Sequence, residues 1–349
     1  MDLETYIAGK QARRGAGNPQ RVKNAAWEWM VRTGEIPYAA LMNLGGDGSD
    51  FESKPDWCFS RFGMSLTHLP DGRRIYVAGE HEDWYDPDFF IYNDVIVRRD
   101  DDIEIYAYDE SSFPPTDFHS ATLIDTEIVL VGSLGYPKNR RPGVTQVLAL
   151  DTESYAVRRI ETSGDVPGWV HRHATSFDPE TRLLSLRAGL VYQGGESSLS
   201  LRRNLDEFEL DIESLMWRKT TDTSHWRQFQ VRYQDRNLLG IGFELRDSGA
   251  RLLSEYGYEV AEWFDADYGF VETEDELEDR DYEAELRSNM CRIVVEGVPV
   301  AIIDEYDSMS VIIEGALAPN TVDDLLQNMK RLVKTLGGRR PSVHELSQL

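Results

Sequence analysis

Cysteine is nearly absent. Only Cys58 and Cys291 occur among 349 residues, far apart in sequence. Two distant thiols make no disulfide framework, so a reducing, cytoplasmic setting is expected. No apolar run approaches the ~18 residues of a membrane-spanning helix, so no membrane partner is expected. The opening Met1-Asp2-Leu3-Glu4 is acidic and leads into no signal-peptide core. Basic charge is scarce: 37 Lys and Arg stand against 62 Asp and Glu, for a net charge of −25. That argues against nucleic acid, which needs a basic surface for its phosphates. It serves solubility, and it permits a basic protein partner. G-x-S-x-G, Walker and C-x-x-C motifs are missing too. No cofactor and no resident metal are expected.

What is present is a repeat. Ala121 to Ile124 and Ile128 to Val131 are apolar and partly β-branched, and Asp125-Thr126-Glu127 between them is turn chemistry. A loop with Gly135, Pro137, Pro142 and Gly143 follows. Val147 to Leu150 and Tyr155 to Ile160 then read as third and fourth strands around the turn Asp151 to Ser154. His119 in "FHSATL" and His173 in "RHATSF" lie 54 residues apart, and another 54 reaches Arg227 in "WRQFQV". Phe62 in "RFGMSL" lies 57 before His119. Glycines recur at the ends of second strands as Gly79, Gly132, Gly189 and Gly242, in steps of 53, 57 and 53. The third copy closes with a strand through Leu210, an Asp211 turn and Trp217.

Four antiparallel strands repeating at about 50 residues have the kelch period. Residues 57–245 resemble kelch-repeat β-propeller proteins, the superfamily of the galactose oxidase central domain. The resemblance implies a mainly β protein with a kelch-like propeller of about four to five blades. A copper enzyme of the galactose-oxidase type would need a Cys beside a Tyr and paired His ligands. The surroundings of Cys58, Asp56-Trp57-Cys58-Phe59, specify no such site.

The flanks differ from the repeat. Residues 1–17 carry Lys10, Arg13 and Arg14 among Gly and Ala and read as a mobile arm. Asn18-Pro19 reads as a helix start, with Trp27, Met30 and Val31 as the apolar stripe and Gly34 as the stop. Residues 35–56 read as a linker. Residues 272–285 are almost all acidic. Beyond them, Arg292 to Val295, Val298 to Ile303 and Met309 to Ile313 read as strands. A helix capped by Thr321 carries Leu325, Leu326, Met329, Leu332, Val333 and Leu336 on its apolar face. The expected divisions are 1–56 as arm, helix and linker, 57–271 as blades, and 272–349 as acidic linker and C-terminal βββα module.

Strand polarity places the candidate site. The start of each first strand and the end of each second strand share one rim. Arg61, His119, His173 and Arg227 lie at or beside starts of first strands, and His171 lies just before one. His81, Glu82 and Asp83 follow the end of a second strand. Arg140 and Arg141 form a basic island with Lys138 in a second-to-third-strand loop. This rim is the expected binding face. The expected function is a kelch-like protein-interaction module, a non-enzyme, with a protein partner and self-association left open. Two alternatives use the same features. One is a metal-dependent enzyme or small-ligand binder built on the His, Asp and Glu cluster. The other is an acidic inhibitor or immunity-type protein for a basic target.

Overall fold

In the computed structural model, residues 1–47, 54–81, 89–195, 201–234, 242–262, 290–305 and 308–346 are described. They are mainly β and divide into two units, one reaching to Thr220 and one running from Thr221 onward.

Helix α1 (Leu3–Gly9) opens the first unit, and its N-cap Asp2 accepts the Thr5 N–H at 2.8 Å. Residues 1–17 are therefore no mobile arm. Tyr6 is buried, and Lys10 pairs with buried Asp56 at 2.8 Å. Strand β1 (Gln20–Val22) follows. Asn18 starts no helix, because its amide is used on both backbone groups of Val157. The helix comes later, as α2 (Ala25–Thr33), with Asn24 as N-cap and Gly34 left-handed at φ 68° behind it. Part of the expected linker is α3 (Pro37–Asn43).

Three antiparallel meanders follow. The first has β2 (Ser65–His68), β3 (Arg74–Val77), a short pair β4 (Glu80–His81) and β5 (Phe90–Ile91), then β6 (Asp94–Arg99) and β7 (Asp102–Ala107). Its sheet order is β1-β7-β6-β3-β2. The second has β8 (Ser120–Ile124), β9 (Glu127–Val131), β10 (Val147–Asp151) and β11 (Val157–Arg159), in the order β11-β10-β9-β8. Two short strands, β12 (Ser163–Gly164) and β13 (Trp169–His171), lead to the third. That one has β14 (Ala174–Asp178), β15 (Leu183–Arg187), β16 (Leu190–Tyr192), β17 (Leu201–Arg203), β18 (Phe208–Asp211) and β19 (Met216–Lys219). Its sheet order is β12-β19-β18-β15-β14, while β13, β16 and β17 form a separate small sheet.

The apolar patterning fixes how these sheets stack. On the second sheet, Ile128, Leu130, Leu148 and Leu150 pack with Ile75, Val77, Val95 and Val97 of the first. Its other face, Val129, Val131, Val147 and Ala149, packs with Leu184, Leu186, Leu210 and Trp217 of the third. Burial on both faces explains why "EIVLV" and "VLALD" lack apolar–polar alternation. The far face of the first sheet, with Tyr76, Ile96 and Ile105, is covered by Tyr6, Trp27 and Met30. Trp27 stacks on Trp57 with centroids 4.9 Å apart. Residues 1–56 are thus part of the first sheet's core, not a module apart.

The segments leading into the first strands of the three meanders are bonded in series. The Phe118 N–H donates to the Gly63 carbonyl at 2.9 Å, and the Arg172 N–H donates to the Phe118 carbonyl at 2.8 Å. The sequence repeat is therefore also a repeat of bonds between sheets.

The second unit contains β20 (Arg227–Gln234), α4 (Gly242–Glu255), β21 (Glu259–Glu262), β22 (Met290–Val295), β23 (Val298–Glu305), β24 (Ser308–Ile313), α5 (Pro319–Thr335) and β25 (Arg339–Leu346). They form one sheet in the order β21-β22-β23-β24-β20-β25. Here the repeat count fails. Strand β20 pairs with β24 and β25 and opens no fourth meander. Gly242, expected to end a second strand, begins a helix; the acidic run 272–285 lies outside the described residues. The boundary expected at residue 271 falls at Thr220. The three expected C-terminal strands are present, and Leu325, Leu326, Met329, Leu332 and Val333 are buried on their sheet. Ala318, not Thr321, is the N-cap of α5, because Pro319 occupies its first turn. The Thr321 hydroxyl bonds Glu296 at 3.1 Å.

Candidate functional site

Three candidate residues are structural. His119 and His173 immediately precede the first strands β8 and β14 and are 2% exposed. His119 Nε2 lies 2.8 Å from Ser65 Oγ, and His173 Nε2 lies 2.9 Å from Ser120 Oγ. Each imidazole thus hydrogen-bonds the preceding sheet's first strand. Burial holds His119 at about 4 and His173 at about 3, against an ordinary 6.5, so both are neutral at pH 7. Arg61 is buried in a bidentate pair with Asp94, whose second oxygen also accepts the Trp57 indole N–H at 2.8 Å. Its remaining donors reach the Cys58 and Ala78 carbonyls, and its plane lies 3.4 Å over the Tyr92 ring. Cys58 is buried and donates to the Ser60 carbonyl.

Arg227 belongs elsewhere. It opens β20 in the second unit and pairs with Glu345 at 2.8 Å. Glu82 and Asp83 lie outside the described residues. His81 is buried on β4. Among the described residues, no three His, Cys, Asp or Glu side chains are grouped to hold a metal ion.

The remaining candidates, His171, Arg140 and Arg141, surround the loop after β9. Asp117 organises that loop. Its Oδ1 accepts the Gly135 N–H at 2.6 Å and the Ser133 hydroxyl at 3.1 Å, and its carbonyl accepts the Leu134 N–H. Burial pushes the Asp117 carboxyl up; hydrogen bonds from Gly135, Ser133 and Glu80, and the Arg140 charge, pull it back down.

Arg140 reaches the same loop. Its Nε and Nη2 donate to the Leu134 and Gly135 carbonyls, and its guanidinium lies 5.8 Å from the Tyr192 ring centroid. The Trp169 indole donates to the Leu134 carbonyl at 3.1 Å. His171 follows on β13, is 2% exposed, and has no hydrogen-bond partner on either ring nitrogen. Burial first, then the charges of Arg172, Arg140, His173 and Arg203, drives its pKa well below the ordinary value. Arg172 is exposed, with its guanidinium 4.2 Å over the Phe118 ring.

The sequence pattern singled out neither Asp117 nor Arg172. The signal was available in the repeat itself. Asp117 and His171 are 54 residues apart, as are Phe118 and Arg172, so each pair occupies one position in successive copies. Glu80 and Asp94 carried no signal beyond lying near strand ends.

No protein-family model matches the chain, and no curated protein matches it. A solved structure described as "Structure of YjhT" is similar at 10% identity with a TM-score of 0.33, over 49% of this chain and 54% of that one. The match therefore spans about half of that chain's length.

Proposed function

We propose that the chain is a kelch-like β-propeller module that binds a protein partner through the rim carrying Arg140, Arg141 and His171. The three meanders serve as its blades. One observation supports this above others. The buried His119–Ser65 and His173–Ser120 bonds lock the first strands together, while the loop after β9 carries Arg140 and Arg141, whose guanidinium groups bond backbone carbonyls. A rigid scaffold with polar loops at one end is a common arrangement for binding. Both thiols are buried and unbridged, which suits a reducing cytoplasm. No helix among the described residues is long and apolar enough to cross a membrane.

The test is site-specific photocrosslinking in the native host. A crosslinker at Arg141 should capture one discrete protein, and a crosslinker at exposed Arg158 on β11 should not. Equal capture at both positions, or none at Arg141, would defeat the proposal. A small-ligand site on the same rim is the second reading, favoured by the buried His171 ring with no hydrogen-bond partner on either nitrogen. That reading expects binding without any protein partner.

A further inference from the structure

Several cations of the first unit are paired. Arg21, Arg73, Arg158, Arg182 and Arg218 each hold a carboxylate at 2.5–2.8 Å. Lys138, Arg140, Arg141 and Arg172 are held in other ways. Arg140 uses its guanidinium on backbone carbonyls, Arg141 does the same, Lys138 lies over the Tyr136 ring, and Arg172 lies over Phe118. Among the described residues, none of the four holds a carboxylate within ion-pair distance. Lys138, Arg140 and Arg141 share the loop after β9, and Arg172 follows β13 next to His171. The nearby imidazole of His171 is buried with both nitrogens unpartnered, an expensive state for a polar ring.

We propose that this cluster binds a carboxylate, with Arg140 and Arg172 supplying the charge and His171 an N–H. This rests on the reading of the rim as a binding face and names the chemistry that face accepts. Arg140 retains free donors beyond Nε and one Nη2 hydrogen bond, enough for a forked contact with a carboxylate. Neutral imidazole carries one N–H. The net charge of −25 does not forbid an anion here. At physiological salt the Debye length is about 8 Å, so remote carboxylates are screened while adjacent guanidinium groups are not.

Two probes distinguish the sources of a carboxylate: a hexaglutamate peptide for a partner's side chains, and citrate for a free acid. The readout is the His171 ring signal in full-length protein labelled at histidine, assigned with His171→Gln. One probe should shift that signal, and hexaglutamine should not. Arg172→Gln removes an exposed side chain and should weaken binding about ten-fold, as loss of a charge-assisted contact implies. Arg140→Gln should do likewise, with a thermal melt to confirm the fold. Three results would overturn the proposal: no shift with either probe at millimolar concentration, an equal shift with hexaglutamine, or affinity unchanged in both arginine variants. A shift with citrate alone keeps the site and assigns it to a small acid. Crosslinking at Arg141 without any carboxylate response would leave the partner-binding reading standing and remove this one.

Discussion

Arg61 and His119 are both interior. Asp94 lies 33 residues beyond Arg61 and reaches it only through the fold. Asp94→Asn should remove the counter-charge of a buried guanidinium. A loss of about 3–5 kcal/mol is expected, read from urea midpoints. By comparison, Arg182→Ala breaks a pair with exposed Asp125 and should cost under about 1 kcal/mol. Near-equal losses would contradict this account of Arg61. The buried imidazoles set a pH dependence. Between pH 6.5 and about 4 the unfolded chain binds a proton that folded His119 does not, and for His173 the window extends to about 3. Their contribution is complete above pH 6.5 and falls away as pH drops through that window. It is on the order of 3 kcal/mol for His119. His119→Gln keeps an N–H near Ser65 but does not titrate. Its thermal stability should fall less steeply with acid than that of the parent, and an identical profile would show that His119 does not contribute.

Strands were the most legible elements, because their apolar runs are bounded by Asp and Gly turns. The β8–β9 and β10–β11 pairs fall within a few residues of expectation. The bonds between sheets were not legible, since they join residues about 54 apart through backbone groups common to every residue. Gly63 is where this matters most. Its φ is +62°, and an added Cβ would stand 2.4 Å from the Phe118 nitrogen, whose N–H donates to Gly63. Gly72 in the β2–β3 turn has φ +87° and nothing within 4 Å of an added Cβ. Gly72→Ala should therefore cost about 1 kcal/mol, the conformational penalty alone. Gly63→Ala must add a backbone clash and should cost at least twice as much. Equal melting shifts would mean that the Gly63–Phe118 junction contributes nothing to holding β2 and β8 together.

Whole-molecule organisation was half legible. The change from repeat to C-terminal module was visible, but its position was not. Arg227 falls on the 54-residue count, and "QFQVRY" alternates as a first strand should. That alternation suits any sheet with one apolar face, and Phe229, Val231 and Tyr233 in fact pack with α5 residues Leu325 and Met329. The two boundaries make opposite predictions about truncation. A chain ending at Thr220 keeps all three meanders and every strand pair among them. A chain ending at residue 271 keeps β20 but removes both of its neighbours, β24 and β25. An eight-residue strand with two bare edges and an uncovered apolar face is an aggregation hazard. The shorter fragment should be monomeric with a cooperative thermal transition, and the longer one should aggregate despite its extra residues. Size-exclusion chromatography and melts of the two fragments decide between the boundaries. A soluble, cooperative 1–271 beside an aggregating 1–220 would place β20 with the repeat after all.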